Sequence, residues 1–66
     1  MKTGDKEYYE LLAMFDKYAK KNFYNARIDK ESKELWSKGI VYEDGRVNEL
    51  FNAFLAGYMC MKSIGA

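Results

Sequence analysis

Apolar residues return every three or four positions through the first third of the chain. Tyr8, Leu11, Leu12, Phe15, Tyr18, Ala19, Asn22 and Phe23 share one side of a helix spanning residues 5–25. Thr3 or Asp5 can cap its start, and Asp5 and Glu7 suit the positive end of its dipole. Lys17, Lys20 and Lys21 suit the opposite end, and Asn25 can take the left-handed conformation that stops it. Tyr8 and Tyr9 are adjacent, so one helix cannot point both rings into the same core.

A second, shorter helix is expected over residues 30–38, with Asp29 as N-cap and Gly39 as its stop. Nine residues do not hold a helix alone in water, so this one must dock through Leu35 and Trp36. Residues 40–47 then read Ile-Val-Tyr-Glu-Asp-Gly-Arg-Val. The β-branched residues around Asp44-Gly45 could write a small hairpin. Three residues a side make an unstable ribbon, so an irregular loop is the preferred reading, with Asp44 capping the next helix.

The last helix is expected over residues 47–62. Val47, Leu50, Phe51, Phe54, Leu55, Tyr58 and Met61 give it one apolar face. Ala53, Ala56, Gly57 and Cys60 line another side with small residues. A helix apolar nearly all round must be covered from several sides, so it is expected to be the most buried of the three. Residues 1–66 thus form a single all-α domain of three helices with a buried C-terminal helix. The surplus apolar surface predicts self-association into a homodimer or small homo-oligomer, with Phe51, Ala53, Phe54, Ala56, Gly57, Tyr58, Cys60 and Met61 at the self-association or partner interface.

Composition narrows the chemistry. The chain has 66 residues, 48% of them hydrophobic and 32% charged, in a balance suited to a folded domain rather than a disordered one. It carries no His and one Cys, which removes disulfide frameworks, the usual zinc ligand sets and every His-based catalytic arrangement. Cys60 would lie near a helix C-terminus, where the dipole opposes a thiolate, so it reads as a reduced, buried thiol. A cytoplasmic location follows from that reading. The apolar run over residues 50–61 is too short to span a bilayer, and no apolar stretch follows the first lysines, so neither membrane insertion nor a secretory signal is expected. Neighbouring acids such as Glu7 with Glu10, Glu31 with Glu34, and Glu43 with Asp44 have basic residues close by and read as solvated surface charge. No cofactor is expected, and the chain is not read as an enzyme.

Net charge is +1, but residues 17–38 carry seven basic against three acidic side chains. Within this block Lys17, Lys20, Lys21 and Arg27 alternate with rings, of which Tyr24 is the most available for stacking on a nucleic-acid base. Tyr18 and Phe23 share the face of Leu11 and Phe15 and are expected in the core. Eleven aromatic rings exceed what so thin a core needs, and Tyr and Trp are the residue types that anchor protein interfaces. Tyr9, Tyr24 and Tyr42, with Met14, are the candidate exposed contacts.

The segment over residues 50–58, Leu-Phe-Asn-Ala-Phe-Leu-Ala-Gly-Tyr, resembles the aromatic and small-residue helices that end short accessory proteins of bacteriophages and other mobile elements. The resemblance covers nine residues and transfers no functional residue. It implies a protein that binds and blocks a host enzyme or defence complex in the host cytoplasm, without chemistry of its own. The expected function is therefore non-catalytic protein binding, as an inhibitor or adaptor. The alternative is a small nucleic-acid-binding protein using residues 17–27.

Overall fold

The computed structural model describes residues 4–23 and 25–65 and is all-α: three helices with one isolated antiparallel bridge among the described residues. Helix α1 spans Lys6–Asn22. Asp5 caps it, its Oδ1 accepting from the Tyr8 N–H at 3.0 Å. Tyr8, Leu11, Leu12, Phe15 and Ala19 are buried along one stripe, as the spacing predicts. The helix ends three residues earlier than expected. Phe23 is already extended, which packs it partly buried against the core, and Asn25 follows at φ 57°.

Helix α2 is a single turn, Lys33–Trp36, rather than residues 30–38. Ser32, not Asp29, occupies its N-cap, and no side chain caps it. The cause is a competing interaction. Residues 29–31 run extended against residues 41–43, with Glu31 N–H donating to the Val41 carbonyl and Glu43 N–H to the Asp29 carbonyl, both at 2.9 Å. Lys30 and Tyr42 form the bridge between them. A backbone committed to that pairing cannot also supply a first helical turn. The other end follows expectation. Gly39 has φ 84°, its N–H reaches the Trp36 carbonyl at 3.0 Å, and Ile40 N–H reaches the Leu35 carbonyl at 3.1 Å, the two bonds of a Schellman stop.

Residues 40–47 do not fold back on themselves as a hairpin. Asp44 instead opens helix α3, Gly45–Gly65, its Oδ1 accepting from the N–H groups of Arg46 at 2.9 Å and Val47 at 3.1 Å. The core joins Tyr8, Leu12, Phe15 and Ala19 of α1 to Trp36, Val41, Tyr42, Val47 and Phe51. Its rings interlock, Phe51 lying 5.2 Å from Phe15 and 5.3 Å from Tyr42 between centroids.

The expectation that α3 is the most buried helix is corrected. Among the described residues α3 buries only Val47 and Phe51, while Leu50, Phe54, Leu55 and Tyr58 are half-buried. α1 carries most of the burial. α2 is one turn long, so it meets α3 only around a shallow depression that Trp36, Ser37 and Gly39 share with Asn52, Leu55, Ala56 and Met59, and beyond this Tyr58 and Lys62 are held by Glu7 of α1.

Candidate functional site

The outward side of distal α3 is the part of the surface that departs most from a solvated helix. Asn52, Ala53, Ala56, Gly57, Met59, Cys60, Met61, Ser63 and Ile64 are all exposed, and none of them is charged. A Cβ built on Gly57 would meet nothing within 4 Å, so the stripe borders open space at that position, while Ala56 on its other flank edges a shallow depression shared with Tyr8 and Trp36. Solvent-facing helix surface is ordinarily dominated by charged and polar side chains, and contiguous exposed apolar surface marks an interaction site.

Three groups fix this face in space. Asn48 ties the start of α3 to the preceding loop: its Oδ1 accepts from Val41 N–H at 2.8 Å and Tyr42 N–H at 3.0 Å, and its Nδ2 donates to the Gly39 carbonyl at 2.8 Å. Asn52 Nδ2 reaches the same carbonyl at 3.0 Å. Further along, Tyr58 donates its hydroxyl to the Glu7 carboxylate, and Lys62 Nζ reaches the same oxygen at 2.8 Å. These bonds, from Lys62 first and Tyr58 second, hold the Glu7 carboxyl below its ordinary range. The same carboxylate raises the Tyr58 hydroxyl and the Lys62 ammonium, in each case chiefly by direct hydrogen bonding. Sequence reasoning found neither Asn48 nor the Glu7 cluster. Glu7 and Lys62 lie 55 residues apart, and nothing local marks a pairing across that separation.

The expected interface residues divide. Ala53, Ala56, Gly57, Cys60 and Met61 are exposed, and Phe54 and Tyr58 are half-buried on the flank toward α1. Phe51 is corrected: it is wholly enclosed at the centre of the ring cluster and faces no partner. Cys60 is also corrected, because its thiol lies on the open side of α3 rather than in a packed interior.

Of the expected exposed contacts, Tyr9 is exposed, its ring under Lys33 Nζ at 5.2 Å, and Met14 is exposed beside α1's buried stripe. Tyr24 lies outside the described residues. Tyr42 is corrected: only 2% of it is exposed, and its hydroxyl donates to Asp16 Oδ1. Lys30 Nζ closes that cluster, 2.7 Å from Asp16 Oδ2 and 5.0 Å from the Tyr42 ring centre. Burial, and then the bond to Asp16, push the Tyr42 hydroxyl far above the ordinary tyrosine range.

The basic segment is split by the fold. Lys17, Lys20 and Lys21 are exposed on the last turns of α1, and none makes an ion pair among the described residues. Tyr18, expected in the core, is 52% exposed among them. Arg27 instead lines a separate depression with Asp29, Glu43 and Asp44, where acids set the local field. Among the described residues no group of three or more Asp, Glu or Cys side chains comes together as a metal site. No helix is long and apolar enough among them to cross a membrane.

Comparison with protein-family models, with curated proteins and with solved structures finds no match to this chain.

Proposed function

We propose that this chain is a non-catalytic protein-binding module that recognises its target through the outward face of distal α3, as an inhibitor or adaptor of the kind found among phage accessory proteins. The observation that carries the reading is the set of exposed, uncharged positions Asn52, Ala53, Ala56, Gly57, Met59, Cys60 and Met61 on a helix whose other side is already packed. Burying such a face releases ordered water at roughly 25 cal/mol per Å² of apolar surface, without stripping any charge of its hydration. The reading is tested by affinity purification of the tagged protein from its native host, followed by mass spectrometry, with an Ala56→Glu variant alongside. A target retained by the parent protein and lost by Ala56→Glu supports recognition through this face. Equal retention by both refutes it.

A second reading has one observation in its favour: Tyr18 stands exposed beside Lys17 and Lys21, which make no ion pair among the described residues, a ring among cations of the sort that holds a single strand. Under this reading affinity for single-stranded oligonucleotides falls steeply with added salt. Absence of binding at low salt eliminates it.

A further inference from the structure

Two features at opposite ends of α3 fit each other. Near its carboxy-terminal end Met61 and Ile64 project with 71% and 78% of their surfaces exposed, more than any other large apolar residue described. Near its amino-terminal end a cleft of about 350 Å³ separates the end of α1 from the start of α3. Phe15, Ala19, Val47 and Leu50 line its apolar part, and Asp44 and Arg46 stand beside them. At 1.5 Å per residue, projections and cleft lie about 20 Å apart on one continuous helix, so a single copy cannot bring them together. They also lie on the same side of it. Positions 46, 50, 53, 57, 60 and 64 alternate by four and three, the spacing of a helix–helix seam, and Met61 flanks that seam on the side of the cleft.

We infer that a second copy of this chain pairs with the first through α3, antiparallel, about a two-fold axis beside residue 55. The inference rests on the reading of this face as a recognition surface and names what covers it in the isolated protein. In this register Ala53 faces the partner's Gly57, Leu50 faces the partner's Cys60, and Arg46 faces the partner's Ile64. The small pair beside the axis lets the helices approach to about 8 Å. The two-fold seats Met61 and Ile64 of each copy over the cleft of the other, so the contact closes as a dimer and does not propagate.

Charge favours the same arrangement. Arg46 sits in the first turn of α3, at the end whose dipole repels a cation, and makes no ion pair among the described residues. Antiparallel pairing puts it beside the partner's carboxy-terminal carbonyls, which bear partial negative charge. Lys62, the one charged residue between Leu50 and Ile64, is turned away to Glu7. No like charges meet across the seam.

The test is sedimentation equilibrium of the full chain over micromolar to millimolar concentration, with Gly57→Leu and Ile64→Glu alongside. The parent protein is expected at twice its 7.7 kDa mass, and both variants at the single mass with unchanged circular dichroism. Gly57 borders open space, so leucine there does not disturb the fold of one copy. A second measurement fixes direction. Glu49 lies on the flank that meets the partner's Cys60, so Glu49→Cys should form a cross-linked dimer with diamide, which takes up the two thiol hydrogens. The parent protein should not, because an antiparallel pair holds its two Cys60 residues about 15 Å apart, beyond disulfide reach. Equal cross-linking of the parent protein through Cys60, or a dimer that survives Gly57→Leu, overturns this register. A single mass at every concentration overturns the pairing itself. The recognition reading fails separately, if Ala56→Glu leaves target capture unchanged.

Discussion

Tyr58 on α3 donates a hydrogen bond from its hydroxyl to the carboxylate of Glu7 on α1, across 51 residues of sequence. With the Lys62 ammonium on the same oxygen, this contact fastens the exposed half of α3 to the body of the domain. The pH dependence follows from the shifts. A carboxyl whose folded value is lowered contributes stability above its ordinary value of 4.5 and loses it as pH falls through the lowered one. Tyr58 and Lys62 are raised, so their contribution is whole below 10.0 and 10.5 respectively and is lost as pH climbs through the raised values. The last turns of α3 are therefore expected to show less amide-exchange protection, relative to the intrinsic rate at each pH, in acid and in strong alkali than at neutral pH. Glu7→Gln should speed that exchange at neutral pH with little change in global unfolding, since the cluster is largely solvated. Amide exchange followed by mass spectrometry checks both.

Asn48→Ala removes the one side chain that satisfies the backbone N–H groups of both Val41 and Tyr42. Those two residues are in the core, so water cannot replace the lost acceptor without opening it. A cost of about 2–4 kcal/mol is expected, read from urea unfolding. Asn48→Asp keeps the acceptor and loses only the bond donated to Gly39, so it should cost less.

Tyr42→Phe leaves Asp16 paired with Lys30 but without its hydroxyl donor. A hydrogen bond to a charged group supports a loss of about 1.5–3 kcal/mol, again measurable in urea. The parent protein also makes a spectroscopic prediction. The Tyr42 hydroxyl stays protonated well above the usual range because burial and the Asp16 carboxylate both oppose the phenolate. Ultraviolet titration of parent and Tyr42→Phe proteins should therefore coincide through the normal tyrosine range and diverge only when the fold is lost.

Trp36→Ala should remove most of the domain's stability. The indole is buried against Tyr8, at 6.0 Å between ring centroids, and its Nε1 donates to the Glu31 carbonyl at 2.9 Å. Truncation of a buried Trp costs about 3–5 kcal/mol, comparable to the whole net stability of a core this small. Loss of the cooperative urea transition checks it.

Several features of the candidate face were legible without coordinates. Ala53, Ala56, Gly57 and Cys60 recur at spacings that put them on one side of a helix, opposite the Val47 and Phe51 side, and that opposition survives in the fold. From sequence Phe51 falls within the expected interface because the apolar perimeter of α3 is nearly continuous, and periodicity alone does not say which arc meets the domain. Tyr18 shows the same ambiguity on α1. It stands at the margin of the apolar stripe, where a small rotation of the helix decides between core and solvent.

The amino-acid sequence by itself determined the three helices, their signals at Asp5, Gly39 and Asp44, and the excess of apolar surface on the last of them. Each depends on groups within a turn or two of one another, where capping bonds, left-handed glycine and side-chain spacing act locally. Only the tertiary structure decided that residues 29–31 pair with 41–43, shortening α2 and drawing Tyr42 inside, and that Glu7 anchors Tyr58 and Lys62. Burial belongs to a meeting of distant segments. Its free energy is set by what lies against a side chain, and no window of neighbouring residues contains that information.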